Sequence, residues 1–495
     1  MILDHNTMEL TKEKMVLPLI FLLAFIFRLI YIFRVPFFSS DESYFNLRHS
    51  EFITNLFLPI INDPLSYGGN IITNVHVFHY FLAIWDLFLP QWFVYKILPA
   101  LLASSIVIMV YILTKEITKN ESASLFAAFL SAFIPIYIEN TLNQISTTSL
   151  VIPIFLILVY SLIKIRKRKE LFLIFSLILI LLEPLNLLMF FTFFIFIILM
   201  IAESKEIRRD EKEAIGFHLM LFILVNLILF KNLYLNKGFA AVWQNVPLEL
   251  YGNIFQNFNL FYTITLIGVI PLILGLLGFI LYPMRDRHMI LLGGILMADF
   301  TLLLLKLIPF KQGVLLLAVV FCITSAITMS RIIEYLDLTK IARFRRIIVT
   351  ILVIFTAISL IYPSTIVARE VINDGVHAEE VEALTWIKDN TPMDSTIAGN
   401  VHEGNMIVYI AGRANIIDTQ FINAEDRLFD VQTIFTTQSL VKATRALNKF
   451  SADYIYFSKK TQEMYGVEEL AYTKDESCFE NVFENEEATV YKLVC

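Results

Sequence analysis

The chain has 495 residues, of which 57% are hydrophobic and 17% are charged, and its mean hydropathy is +0.69. Soluble domains average roughly 45–50% apolar residues, so the composition excludes an ordinary soluble protein. From Glu370 onward there are 22 acidic and 10 basic residues, a net charge of −12, which leaves +6 for residues 1–369. The acidic tail argues against nucleic-acid binding, and the sequence has no phosphate-binding glycine loop or dinucleotide fingerprint.

The apolar residues lie in blocks of about 18–22, the length that a helix needs to cross a bilayer. No small-residue cleavage site follows residues 16–33, so the first block is predicted to be a retained helix. The predicted fold class is a polytopic α-helical membrane protein, residues 1–367, followed by a C-terminal soluble α/β domain, residues 368–495. Eleven membrane helices are predicted near residues 16–34, 93–114, 123–138, 149–165, 170–184, 186–202, 216–233, 260–282, 289–306, 312–330 and 347–366.

Basic loops between these helices predict the orientation, because loops rich in Lys and Arg stay in the cytoplasm. All of these basic loops lie on the same side of the membrane as the N-terminus if residues 75–89 do not span the bilayer. That short apolar segment suits a helix lying along the outer surface. The N-terminus is therefore predicted in the cytoplasm, with the first outer loop, residues 35–92, and the tail outside the plasma membrane. The basic loops contain Lys115 and Lys119, Lys164 to Lys169, Lys205 to Lys212, Arg285 and Arg287, and Lys340 to Arg346.

The tail alternates helical and strand patterns. Residues 379–389 are predicted to form an amphipathic helix that stops at the following Asn-Thr-Pro, residues 439–450 a second helix, and residues 453–457 a buried strand. Of the three cysteines, Cys322 is predicted to pack inside a membrane helix. Cys478 and Cys495 lie in the tail, where a disulfide can persist outside the cell. The sequence is compatible with a bridge between them and with two free thiols.

Directly after the first helix the chain reads Ser39-Ser40-Asp41-Glu42-Ser43-Tyr44-Phe45-Asn46-Leu47-Arg48. Acids at a bilayer edge are costly unless they bind a metal, a cation or a sugar hydroxyl. A carboxylate can also take a proton from an attacking hydroxyl, or hold a divalent cation that neutralises a leaving phosphate. The alternative is a helix start, because acids in a first turn after a serine complement the helix dipole.

These features together resemble the GT-C class of membrane glycosyltransferases, and more narrowly the catalytic subunit of the archaeal oligosaccharyltransferase. That family's first outer loop carries Asp-Pro-Tyr-Phe-Asn-Tyr-Arg, which residues 42–48 match at Tyr, Phe, Asn and Arg. Residues 99–102 and 110–113 resemble its second helix. In the tail, residues 383–392 and 409–413 resemble the segments before and after the family's WWDYG signature.

Three other motifs of the family are altered. Asn400-Val401-His402-Glu403-Gly404 stands in place of WWDYG, which in the family grips the acceptor sequon. The second outer loop, residues 140–148, lacks the family's metal-binding Asp and has no carboxylate beyond Glu139. In the fourth outer loop the family's Glu is missing from residues 243–247, and Glu249 lies beyond the proline.

The resemblance implies transfer of a sugar or glycan from a polyprenyl or dolichyl (pyro)phosphate carrier to an acceptor, protein or glycan, at the outer face. Asp41 and Glu42 would be catalytic and would hold a divalent metal, Mg²⁺ or Mn²⁺. Tyr44, Asn46 and Arg48 would contact substrate. The altered motifs leave an alternative, a catalytically inactive paralogue that binds a lipid-linked glycan or partners an active enzyme.

Basic residues provide candidates for holding the carrier phosphate. The planar fork of Arg48 suits a phosphate, or else a salt bridge to Glu51 or Asp41. Arg369 and Lys311 are predicted near the outer surface and could also bind the phosphate.

Histidines provide candidates for metal or substrate binding. His76 and His79 are three residues apart and share one helix face, so they could ligate a metal with a loop acid, or act as polar tips at the headgroup layer. His402 and Glu403 could replace the lost WWDYG chemistry, or form an ordinary polar loop.

Charged residues within the membrane segments are functional candidates by default. Asp299 and Lys306 are seven apart on one predicted helix and could pair. Arg28 lies deep in the first helix and could reach the interface or a phosphate, and Glu183 lies between two apolar runs.

Overall fold

The structure is a computed structural model that describes residues 3–72, 76–182, 186–231, 234–235, 238, 243, 246, 250, 252, 254–256, 259–282, 286–421 and 427–495. Its contacts divide the chain into two units. The first unit comprises Met1–Arg34, Trp92–Lys231 and Gly252–Asn373. The second comprises Val35–Gln91, Asn232–Tyr251 and Asp374–Cys495, so it combines most of the predicted first outer loop with the tail.

The described residues of the first unit form helices joined by turns and contain no β-strand. The unit also contains a π-helical turn, Phe93–Ile97, and a 3₁₀ turn, Ala342–Phe344. Its helices are α1 Leu3–Ile32, α4 Leu98–Ser104, α5 Ile106–Thr118, α6 Glu121–Ala132, α7 Pro135–Glu139, α8 Thr148–Ile163, α9 Ile165–Leu182, α10 Asn186–Ala202, α11 Arg209–Leu229, α12 Leu260–Ile267, α13 Val269–Leu281, α14 Arg287–Leu304, α15 Phe310–Leu338 and α16 Arg345–Asn373.

Six helical stretches among the described residues are long and apolar enough to cross a membrane, as their composition predicts. A seventh is possible if α12 and α13 form one broken span, because they meet at an angle of 100°. Gly268 stands at this bend with φ +93°, a conformation that glycine adopts without strain. The apolar helices make this an integral membrane protein, while the number of eleven spans stays a prediction.

Small residues let two membrane helices approach closely within this unit. A Cβ atom on Gly275 would lie 2.6 Å from the Cβ of Phe321, and one on Gly278 would lie 2.5 Å from the carbonyl oxygen of Thr324. These two glycines on α13 therefore allow its backbone to pack directly on α15, which is the usual role of small residues between membrane helices.

The second unit begins with two helices of the first loop, α2 Asp41–Leu56 and α3 Val77–Asp86. Between them lies a small hairpin in which β1, Asn62–Asp63, pairs antiparallel with β2, Asn70–Ile71. α3 has ten residues, which is too short to span a bilayer.

The tail forms a mixed five-stranded sheet in the order β4-β3-β5-β7-β6. β3, Thr396–Ala398, pairs parallel with β4, Ala414–Asn415, and with β5, Tyr454–Ser458. β7, Ala488–Leu493, pairs antiparallel with β5 and with β6, Phe479–Glu484. The other tail helices are α17 Ala378–Asn390, α18 Gly404–Met406 with a π-helical continuation Ile407–Ala411, α19 Arg427–Thr436, α20 Leu440–Lys449 and α21 Lys459–Tyr465.

Most predicted elements are found. Each of the eleven apolar segments coincides with a described helix or pair of helices, and α17, α20 and β5 occupy the predicted positions in the tail. Cys322 is buried and free, and Cys478 is bonded to Cys495. Several residues considered in the sequence lie outside the described part, namely Val75, Glu183, Gln244, Asn245, Pro247, Glu249 and Arg285.

Candidate active site

The run that resembles the glycosyltransferase motif forms the start of α2. Ser40 is the N-cap residue with an extended backbone, and Asp41 and Glu42 occupy the first turn, as the helix-start interpretation predicts. The Ser40 side chain does not cap the helix but lies 2.8 Å from the Ser43 hydroxyl. Both acids lie in the first turn of the helix, where the helix dipole favours negative charge, yet their surroundings differ.

The Asp41 carboxylate binds the tail. One oxygen accepts a hydrogen bond from the backbone N–H of Met406 at 2.8 Å, and the other accepts from the side-chain amide of Asn405 at 2.7 Å and from its backbone at 3.3 Å. Asp41 thus caps the first turn of the helical segment 404–411 across a gap of 365 positions in the sequence. Burial outweighs these hydrogen bonds and raises the pKa of Asp41 to about 7.

Glu42 is exposed, unlike most of α2. Loss of hydration to the surrounding atoms raises the pKa of Glu42. This effect outweighs the hydrogen bond that its carboxylate accepts from the side chain of Asn46, one turn later, which lowers the pKa. Glu42 also occupies the position of the family motif's Asp. Of the two predicted catalytic acids, Glu42 is therefore the one that is accessible to a substrate.

Three histidines cluster beside Asn46. His79 is buried, and its Nε2 lies 2.9 Å from the Oδ1 of Asn46, while its Nδ1 lies 3.2 Å from the Nδ1 of the partly exposed His76. His49, from α2, is fully buried, and its ring centroid lies 5.4 Å from His76 and 5.3 Å from His79. The sequence indicated His76 and His79 as a pair but not His49, which comes from a different helix.

Arg48 has a protein partner. Its guanidinium makes two parallel hydrogen bonds of 2.6 and 2.7 Å to the carboxylate of Asp63, which is 1% exposed. The salt bridge to Glu51 or Asp41 is thus replaced by one to Asp63, because the β1–β2 hairpin brings that residue back onto α2. The fork that was considered for a phosphate is engaged in this pair.

Tyr44 is also less available than the motif implies. It is buried, and its ring lies 5.8 Å from that of Tyr409, whose hydroxyl donates to Glu51 at 3.2 Å. Tyr44 and Asn46 therefore face the packed side of α2, and their contribution to substrate binding stays a prediction.

Asp418 was not singled out from the sequence. It is fully buried, accepts from the Ser66 hydroxyl at 2.6 Å and from the Asn415 side chain at 3.2 Å, and its backbone carbonyl accepts from Tyr67. Burial raises its pKa. These contacts join the first loop to the tail within the second unit, and an acid at the end of the apolar run Ile416-Ile417 was the signal that could have revealed it.

The residues in place of the WWDYG signature fall into two environments. His402 is exposed, whereas Glu403 is 1% exposed. Glu403 accepts from the Ser458 hydroxyl, from Asn400 at 2.7 Å and from Thr461 at 3.0 Å, and burial raises its pKa to about 8. This network ties residues 400–404 to β5, so Glu403 lies in the interior of the tail, while substrate binding by His402 stays a prediction.

The first unit contains the other cationic candidates. Lys311 pairs with Glu139, and Lys96 donates to Asn143 at 3.1 Å. Arg369 is exposed on α16. The role predicted for Lys311 and Arg369 toward a phosphate stays a prediction.

The first unit buries two of the charges predicted within membrane segments. Arg28 donates to Thr141 at 2.8 Å and lies over the Tyr137 ring, and its reach to the interface or a phosphate stays a prediction. The proposed pair between Asp299 and Lys306 is wrong, since neither carboxyl oxygen of Asp299 has a hydrogen-bond partner among the described residues. The reason is that α14 ends at Leu304, so Lys306 is not on the helix face of Asp299.

The donor set for a divalent metal does not fit in this arrangement. Among the residues that the structure describes, no group of three or more His, Cys, Asp or Glu side chains could hold a metal ion. N–H donors and the positive end of a helical segment surround the Asp41 carboxylate, which disfavours a cation. Both nitrogens of His79 are engaged. The Mg²⁺ or Mn²⁺ predicted at Asp41 and Glu42, or at His76 and His79, stays a prediction.

The fold is that of known membrane glycosyltransferases. The structure of the archaeal oligosaccharyltransferase AglB from Archaeoglobus fulgidus, in complex with an inhibitory peptide and a dolichol-phosphate, is similar with a TM-score of 0.64 and 14% identity, covering 91% of this chain and 70% of that chain. Its apo form is similar with a TM-score of 0.64 and 14% identity, covering 97% and 74%. ArnT from Cupriavidus metallidurans bound to undecaprenyl phosphate is similar with a TM-score of 0.51 and 9% identity, covering 96% and 98%.

Both neighbours are GT-C glycosyltransferases, so the resemblance inferred from the motifs is confirmed at the level of the fold. No protein-family model matches the chain, and no curated protein matches it by sequence.

Proposed function

We propose that this chain is a membrane glycosyltransferase that transfers a sugar or glycan from a polyprenyl or dolichyl (pyro)phosphate carrier to an acceptor at the outer face of the membrane. The observation that carries the proposal is the shared fold with AglB and ArnT, both of which have structures with a polyprenyl-type phosphate. The second support is Glu42, an exposed acid at the position of the family motif's Asp.

Glu42 acts on the acceptor in this proposal. An acceptor hydroxyl or amide attacks the anomeric carbon of the donor sugar, and the bond from that carbon to the carrier oxygen breaks. The (pyro)phosphate leaves with the electron pair, while Glu42 accepts the acceptor's proton. A carboxyl group whose pKa lies above the ordinary value is a better proton acceptor than a free glutamate.

The leaving phosphate requires cations. Arg48 is held by Asp63 and Lys311 by Glu139, so the proposal assigns neither of these two cations to the phosphate. No step in the proposal depends on a metal ion.

The orientation belongs to the proposal as well. The Cys478–Cys495 disulfide supports a tail outside the cytoplasm, because disulfides persist in oxidising compartments. Protein is the proposed acceptor by analogy with the AglB complex, which holds a peptide. The replaced WWDYG segment weakens that choice relative to a glycan.

Transfer can be tested in membranes metabolically labelled with radioactive sugars. With the intact protein, label is expected to leave the fraction of lipid-linked sugars that organic solvent extracts. Glu42→Gln is expected to slow this loss by about 100-fold or more, since positioned acid–base groups contribute roughly 10²–10⁴-fold. Thr385→Ala, on an exposed helix face of the tail, is the control and should transfer normally. Full transfer by Glu42→Gln would refute the catalytic assignment.

A second candidate is an inactive paralogue that binds a lipid-linked glycan or a partner enzyme. The three altered motifs, and the use of Asp41 as a structural cap, favour it. Both candidates predict that dolichyl phosphate in nanodiscs raises the thermal stability of the purified protein. Loss of label above that of protein-free membranes excludes the paralogue, whereas stabilisation without any loss of label supports it.

A further inference from the structure

Asn46 is the central residue of a hydrogen-bonded row that starts at the exposed acid. Its side chain donates to Glu42, four residues earlier on α2. On its other side, Asn46 Oδ1 lies 2.9 Å from His79 Nε2. His79 Nδ1 in turn lies 3.2 Å from His76 Nδ1.

The chemistry of these groups determines where each proton lies. An ionised Glu42 only accepts hydrogen bonds, so the amide nitrogen of Asn46 faces it and the amide oxygen faces His79. His79 must therefore carry its proton on Nε2, which leaves a lone pair on Nδ1. His76 must donate to that lone pair from its own Nδ1, and its Nε2 then keeps a free lone pair.

The surroundings favour a single protonation site in this row. His79 and His49 are buried, and three ring centroids separated by 5.2–5.4 Å cannot carry two positive charges without strong repulsion. Arg48 adds further positive charge near His49. A proton on His76 Nε2 preserves every hydrogen bond of the row, whereas one on His79 Nδ1 would place two donors against each other.

The charged groups of the neighbouring elements are Glu42 and Arg48 on α2, and α3 contributes only the two histidines to the row. Asp86, at the end of α3, acts on Glu51 instead: the charges of the two acids repel, which raises the pKa of Glu51. The row therefore connects one carboxylate to one partly exposed imidazole.

We propose that Asn46, His79 and His76 are positioning residues that hold the Glu42 carboxylate in a fixed orientation. The inference rests on the proposed function. The amide of Asn46 does not pass protons, so the row orients Glu42 and does not conduct protons to it.

The row can be tested without any activity by ¹⁵N NMR of histidine-labelled full-length protein in nanodiscs. At pH 7.5 we expect His79 as the Nε2–H form and His76 as the Nδ1–H form. His76→Gln and His79→Gln assign the signals. A Nδ1–H form of His79 would overturn the proposal.

Two further variants isolate the role of Asn46. Asn46→Asp keeps an acceptor for His79 but loses the donor to Glu42, so the His79 form should persist while kcat falls by about three- to tenfold and KM for the lipid donor stays unchanged. Asn46→Ala also removes the acceptor of His79, so His79 should no longer be held in its Nε2–H form. An unchanged kcat in Asn46→Asp, with the fold intact by thermal unfolding, contradicts the positioning role.

Kinetics provide the matched comparison. His79→Leu should reduce kcat by about three- to tenfold, the value of one neutral hydrogen bond, with KM for the lipid donor unchanged. His79→Gln keeps the donor to Asn46 and should restore most of the rate. A loss of equal size in both variants would refute the row. If the NMR forms are as expected but the intact protein transfers no sugar, the row stands and the proposed function fails.

Discussion

Removing the Asp41 carboxylate should release the helical segment 404–411 locally. In Asp41→Ala the N–H of Met406 loses its acceptor in a buried place, at a cost of about 1–3 kcal/mol. Asn405 loses its shorter bond but keeps Thr419 at 3.2 Å, which adds about 1 kcal/mol. The expected total of about 2–4 kcal/mol corresponds to a roughly 30- to 800-fold faster hydrogen exchange of the Met406 amide.

Hydrogen–deuterium exchange of the full-length protein in nanodiscs, at residue resolution, measures this effect. The amides of β5 provide the internal reference, because that strand is buried at all five positions and should exchange only by global unfolding. Asp41→Asn keeps one acceptor oxygen for Met406 and should accelerate exchange by less than about tenfold. Glu42→Gln alters the neighbouring acid, which bonds within α2, and should leave Met406 protected.

Two results would refute this reasoning. Unchanged protection of Met406 in Asp41→Ala would mean that the carboxylate does not hold the segment. Equal acceleration in β5 would mean that the whole unit unfolds and that the contact is not a local cap.

Three more predictions concern the second unit. Arg48→Ala leaves the buried Asp63 carboxylate without its cation, and a lower thermal midpoint, equivalent to about 3–5 kcal/mol, is expected, whereas Arg48→Lys should lose less; no change in either would contradict the pair. Burial raises the pKa of Glu403 to about 8, so between about pH 4.5 and 8 the folded state keeps a proton that the unfolded state has released. The tail should therefore lose stability over this range by at most about 1.4 kcal/mol per pH unit, and chemical denaturation of Glu403→Gln should show a shallower slope. The bridge closes a loop with a sequence separation of 17, so replacing Cys478 and Cys495 with serine should cost about 3 kcal/mol and abolish the mobility shift on reduction; a shift that persists would contradict the bridge.

The membrane helices were predictable because each one is specified by its own composition. Runs of apolar residues, basic loops and the Asn-Thr-Pro stop after α17 are local signals, and the structure places helices at those positions. The motif at residues 42–48 likewise needed no knowledge of distant residues, and it led to the fold shared with AglB.

The contacts that distinguish Asp41 from Glu42 could not be predicted in this way. Asp41 meets Met406 across 365 positions, and Arg48 meets Asp63 only because the intervening chain turns back through β1 and β2. Two adjacent acids look equivalent in a sequence, and the difference arises from what the folded tail presents to one of them. His49 escaped notice for the same reason, since its neighbours are on another helix.

The capping of residues 404–411 by Asp41 also has a consequence for how the protein is made. At a synthesis rate of about 5–20 residues per second, the ribosome needs roughly 20–70 s to travel from Asp41 to its partner Met406, 365 positions later. During this interval the start of α2 has no partner for its carboxylate, and the ring of Tyr44 lacks its neighbour Tyr409 from the tail. A chain that stalls before the tail emerges would present this uncovered helix to the chaperones and proteases that inspect membrane proteins during biogenesis.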